Sequence, residues 1–169
     1  QAAIAASAAD GSGVDTFAEL QAIIDAVPSS AIARIEAYNN GDGITPIALQ
    51  LQDFLDANIG LGASDSAVNV DNLAAVNRKI LTQNSGDADT AAKIQLLVNA
   101  ADSDFNTALI AISTAAESDK ANDPLAGISV ADYQDLGFEH VTSENLNAIN
   151  GLLDTESIQG GDVSSFLQI

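Results

Sequence analysis

The chain contains no cysteine, which excludes disulfides, thiolate metal centres and cysteine nucleophiles together. Methionine and tryptophan are also missing, and aromatics are limited to five Phe and two Tyr. Ala, Leu, Ile and Val therefore supply almost all of the 47% apolar content, a mixture that favours closely approaching helices. Basic residues are scarce. Arg34, Arg78, Lys79, Lys93 and Lys120 stand against 24 acidic groups, for a net charge of −19. Such a surface repels phosphate backbones and anionic lipid, so nucleic-acid and membrane-surface binding are disfavoured. No apolar run approaches the roughly 18 residues needed to cross a bilayer. The opening QAAIAASAAD lacks the basic segment of a signal peptide, and with no initiator Met the chain is expected to be a piece of a longer protein.

What is present is a repeat. Asp15 to Val27, DTFAELQAIIDAV, is answered by DTAAKIQLLVNAA at Asp89 to Ala101, a shift of 74. LQDFLDANI at Leu51 to Ile59 is answered by VADYQDLGF at Val130 to Phe138. Asn72-Leu73-Ala74-Ala75-Val76-Asn77 is answered by Asn145-Leu146-Asn147-Ala148-Ile149-Asn150, a shift of 73, and Asp162 to Ile169 again matches Asp89 to Leu96. Three blocks recurring in one order point to duplication rather than to compositional bias.

Each copy reads as helices. Thr16 with Glu19 three residues later is a helix-start signature. Phe17, Leu20, Ile24, Val27, Ala31, Ile35 and Tyr38 follow at helical spacing, and Pro28 predicts a kink or a break into two helices. The second copy has no such proline, so one long helix is expected over Ala91 to Ser118, with Ile94, Leu97, Ala101, Phe105, Leu109 and Ile112 as its stripe. Short helices are expected at about Gln50 to Ala57 and Val130 to Leu136, the second ended by Gly137 in a left-handed conformation. A last helix is expected from near Asp71 in one copy and near Thr142-Ser143 in the other. The expected architecture is all-α: two tandem three-helix modules of about 74 residues with a truncated helix at each end. The tail of an upstream copy occupies 1–9, the modules 10–86 and 87–161, and the start of a third copy 162–169.

The phrases IEAYNNGDGITPIALQLQDFLDANIG and VADYQDLGFEHVTSENLNAIN resemble helical modules strung through very large bacterial surface and adhesin proteins, similar to the three-helix GA-like family named after the albumin-binding module. The resemblance implies an extracellular, cell-surface, non-enzymatic protein. It carries over no albumin-binding residues, because no matching motif is present, and Leu61 to Val68 of the first copy depart from the pattern.

Candidate sites are few. His140, the single histidine, has no counterpart in the other copy and reads as a loop residue. No nucleophile elbow or phosphate loop occurs, so no catalytic or cofactor-binding residue is assigned. Asn39, Asn40 and Asp42, in the loop Asn39-Asn40-Gly41-Asp42-Gly43, are the candidate calcium ligands. The loop fails the EF-hand spacing, and the competing reading is a helix end followed by a turn. The Asp119, Asn122 and Asp123 loop of the second copy keeps oxygen ligands without the glycines. Asn72, Asn77, Asn145 and Asn150 are expected to hydrogen-bond to neighbouring loops or helices. The function expected is a structural spacer of an adhesin-like surface protein, whose partners are the neighbouring modules of the same chain. The alternative is a helical module that binds a host or matrix protein. The short connection Gln83 to Thr90 predicts a semi-rigid joint.

Overall fold

The computed structural model describes residues 16–41, 47–62, 65–116, 127–153, 160–163 and 165. The expected 1–9 tail, the 117–126 loop and most of the expected third-copy start lie outside the described residues. Among the described residues 66% are helical and none is in a strand, so the fold is all-α.

In chain order the helices are α1 (Phe17–Asn40), α2 (Leu51–Asp56), α3 (Leu73–Leu81), α4 (Ala91–Ala116), α5 (Val130–Asp135) and α6 (Leu146–Leu153). A 3-10 turn follows at Gly160–Val163. Thr16 starts α1 as a capping box: its Oγ1 accepts from Glu19 N at 3.2 Å, and Glu19 Oε2 accepts from Thr16 N at 2.9 Å. The helix does not break at Pro28 but continues through it to Asn40. The ring removes one hydrogen bond, to the Ile24 carbonyl, on a stretch open enough for water to replace it.

The short helices are built alike. Asp53 accepts from Gln50 N at 2.7 Å, and Asp132 accepts from Ser129 N at 2.7 Å. Each helix ends on a residue with positive φ, Asn58 (58°) and Gly137 (95°). The next residue then folds back, Ile59 N donating to Phe54 O and Phe138 N to Tyr133 O. The last helices begin later than the sequence predicts, at Leu73 and Leu146, because hydrogen-bonded turns precede both.

These helices enclose two cores. The first gathers Ile35 and Tyr38 from α1, Phe54 from α2, Val76 and Ile80 from α3, and Ile94, Val98 and Ala101 from the first half of α4. The second gathers Phe105, Ala108 and Ile112 from the other half of α4 with Tyr133, Leu136, Val141 and Val163. One helix thus serves both cores. The predicted stripe of α1 also needs revision. Ala31, Ile35 and Tyr38 are buried, but Phe17 is 81% and Ile24 52% exposed, because no element among the described residues covers that half.

Candidate functional site

The sequence-predicted residues fall in four groups of contacts around α4, the connection that leads into it and the meeting of the two cores, each starting from local structure.

The first is α4 itself, which passes from one core to the other in 26 residues with neither Gly nor Pro. The second is the loop after α2. Gly60 N donates to Gln95 Oε1 at 2.6 Å, Gln95 Nε2 donates to Ser66 O at 3.0 Å, and Ser66 N donates to Asn99 Oδ1 at 3.0 Å. Asp102 then accepts from Ser66 Oγ at 3.0 Å and from Asn72 Nδ2 at 2.9 Å. The additional Leu61–Val68 segment of the first copy is therefore bordered by a strap on the next long helix, a role that its lack of a counterpart concealed.

The third group is the C-terminal end of α1. Asn39 is 5% exposed and its Nδ2 donates to Ile80 O, at the end of α3, at 2.8 Å. Asn40 Oδ1 accepts from Ser85 Oγ at 2.5 Å and from Gly86 N at 3.1 Å, inside the Gln83–Thr90 connection. Of the three candidate calcium ligands, Asn39 thus ties α1 to the end of α3 and Asn40 ties it to the 83–90 connection. Asn39 Oδ1 is buried with no hydrogen-bond partner, Asn40 Oδ1 is engaged by protein donors, and Asp42 lies outside the described residues. Gly41 ends the helix at φ 60°, as the turn reading requires. Among the described residues no three His, Cys, Asp or Glu side chains are grouped to hold a metal ion. The Asp119, Asn122 and Asp123 loop is outside them.

The fourth group joins α3 to the end of α5. Arg78 Nη2 donates to Gln134 Oε1 at 2.8 Å, and its Nη1 lies 4.0 Å from Asp135 Oδ1. A Cβ on Gly137 would lie 2.6 Å from Ala74 Cβ and 2.7 Å from Ala75 N, so this glycine permits both the positive φ and the close approach of α3. Sequence reading found the conformational need of Gly137 but not its neighbour. Burial and the nearby Asp104 raise the Asp135 carboxyl above its ordinary range, while Arg78 and Lys79 oppose the rise.

A cleft of about 580 Å³ opens beside the junction, lined by Tyr38, Asn77, Phe138, His140, Asn145 and Ile149 among others. Burial, then Glu139, raises the Tyr38 phenol, so it is a neutral wall at physiological pH. His140 is exposed, and its backbone carbonyl accepts from Asn145 Nδ2 at 2.8 Å. Its ring makes no hydrogen bond among the described residues.

The four repeated asparagines hydrogen-bond to loops in pairs. Asn72 and Asn145 each accept from the backbone N–H three residues earlier and donate to the carbonyl five residues earlier. Asn77 and Asn150 each donate to the carbonyl two residues before a short helix, Leu49 O and Ile128 O. These amides hold each last helix to its own loops. Compared with protein-family models, curated proteins and solved structures, the chain matches none.

Proposed function

We propose that this chain is a non-enzymatic structural repeat, a spacer that projects the adhesive region of an extracellular, adhesin-like bacterial surface protein. The observation that carries the reading is α4, one helix whose first half lies in one core and whose second half lies in the next. Stacking of this kind lets neighbouring units bury surface that a lone unit would expose, and it resists bending at the joint. The strap onto Gln95 and Asn99 and the Arg78 link tie residues of the first module to the second, and the Asn40 clasp braces the connection between them. Within this reading the units are tandem three-helix modules, GA-like in their loop and helix-start phrases, that share their long helices. The acidic surface keeps an extended array soluble.

A protein-binding module is the second reading. Its support is the exposed apolar first half of α1, where Phe17 and Ile24 face solvent.

Because the chain has no cysteine, Gln52→Cys and Ala131→Cys place two dyes on exposed sites of α2 and α5. Single-molecule energy transfer at nanomolar protein is expected to give one narrow distance. A broad distribution would overturn the spacer reading and leave the helices standing.

A further inference from the structure

The apolar stripes of α1 and α4 correspond, but only that of α4 is covered along its length. Ile94, Val98 and Ala101, in its first half, are 0%, 0% and 2% exposed where α3 packs on them. Their counterparts 74 residues earlier are Leu20, Ile24 and Val27. Leu20 and Val27 are half-buried, Ile24 is 52% exposed and Phe17, a turn before, is 81% exposed. The first half of α1 is thus an apolar half-helix that carries no core.

The complementary surface lies on α6. In α3, Val76 and Ile80 are fully buried, whereas Ile149 and Leu153 in the same places on α6 are only partly buried. Lys79 of α3 reaches Asp104 of α4 at 2.8 Å, which shows that this position faces the covering helix. Its counterpart on α6 is Leu152, 68% exposed, and Asp104 corresponds to the uncharged Ser30 of α1. The whole of α6, LNAINGLL, is without charge. Where the inner contact uses an ion pair at its margin, the outer surfaces offer apolar side chains and no such pair.

We propose that two copies of this chain join head to tail, the first half of α1 of one molecule lying on α6 of the next. The contact reproduces between molecules the packing of α4 on α3 within one, and it rests on the array reading because the two surfaces are matched through the repeat. It is a heterologous contact, so it does not close on itself and association runs on beyond a dimer. The net charge of −19 opposes it, and salt, by screening that charge, favours it.

Sedimentation of the full chain in about 0.5 M salt tests this. The weight-average mass is expected to rise with concentration through dimer to larger species, and Ile24→Asp or Leu152→Asp each raises the dissociation constant at least about tenfold. Both residues are exposed, so unchanged thermal melting of the variants separates lost docking from lost fold. Ile24→Cys and Leu152→Cys chains, mixed and mildly oxidised, are expected to cross-link 24 to 152 in excess over 24 to 24 and 152 to 152. A constant monomer mass to about 1 mM overturns the proposal, as does growth that neither variant alters or cross-linking without preference. The within-chain distance measured at nanomolar protein is independent of docking, so failure here leaves the spacer reading intact.

Discussion

In the first core the amide of Asn77 donates to Leu49 O at 3.0 Å, and its oxygen is buried without a partner. In the second, Asn150 donates to Ile128 O at 3.2 Å, and its oxygen receives the Tyr133 hydroxyl at 2.7 Å. The difference is one atom, because the residue of α2 that corresponds to Tyr133 is Phe54. Surroundings differ more than chemistry does elsewhere. Asn72 is 1% exposed beneath α4, while Asn145, bonded to its loop in the same way, is half-buried because no helix among the described residues covers it as α4 covers Asn72. One local design therefore stands in two settings, one beneath a long helix and one without such a cover among the described residues. What changes between them marks the contacts that belong to the joint.

The end of the short helix should separate the two halves most. Gly137 has a φ of 95° and the backbone of α3 against it, whereas Asn58 adopts 58° with its side chain exposed. Gly137→Ala adds left-handed strain to a collision with Ala75 N, at an expected cost of about 3 kcal/mol or more. Asn58→Gly should change stability by no more than about 0.5 kcal/mol. Denaturant unfolding of both variants measures this. Equal effects would mean that α3 does not rest on the end of α5.

Exchanging Phe54 and Tyr133 sharpens the comparison at a single hydrogen bond. Tyr133→Phe leaves the Asn150 oxygen as poorly served as that of Asn77, an expected loss of about 1–2 kcal/mol. Phe54→Tyr should gain about 1 kcal/mol by supplying the missing donor, and a loss would show that the two sites are packed differently. Alkaline unfolding adds a check. Burial, then Asp132, pushes the Tyr133 phenol up to about 12 from its ordinary value near 10. Its folded pKa lies above the unfolded one, so this stability is complete below about pH 10 and is lost as pH rises through about 12. The advantage of the wild type over Tyr133→Phe should shrink across that window.

Much of this was legible from spacing alone. The capping box at Thr16, the end of α5 at Gly137 and the bonded asparagines follow from local rules that need no partner element. What spacing leaves open has one cause. The stripe Phe17 to Tyr38 is periodic throughout, and periodicity does not tell which half of a helix meets a core. Asn39 and Asn40 carried the oxygen chemistry of a cation loop. Their actual partners, Ile80 and the 85–86 turn, lie more than 40 residues away in sequence. Arg78 stands out in the sequence only as one of five basic residues, because a lone arginine at a helix end has no pattern, and Gln134 becomes its partner only through tertiary packing.

Arg78 supplies the smallest effect and the most specific one. Its counterpart in the second half is Gly151, so this link exists at the joint and is not repeated on α6. Arg78→Gln removes the hydrogen bond to Gln134 and the only guanidinium near Asp135. Both partners are part-exposed, at 26% and 41% for their side chains, so solvent screening limits the expected loss at neutral pH to about 1 kcal/mol or less. The pH dependence carries the identification. Asp135 already has a raised pKa from burial and Asp104, with Arg78 first among the groups that oppose the rise. Without Arg78 the carboxylate is less favourable in the fold, and the penalty is present only while Asp135 is ionised. A folded pKa above the unfolded one means stability lost as pH rises through it, so the variant loses more than the wild type on the way from acid to neutral. The difference between the two proteins should therefore be larger at pH 7 than below the carboxylate range, where the lost hydrogen bond to Gln134 alone remains. A difference that is constant with pH would assign Arg78 to Gln134 and remove Asp135 from the account of the joint.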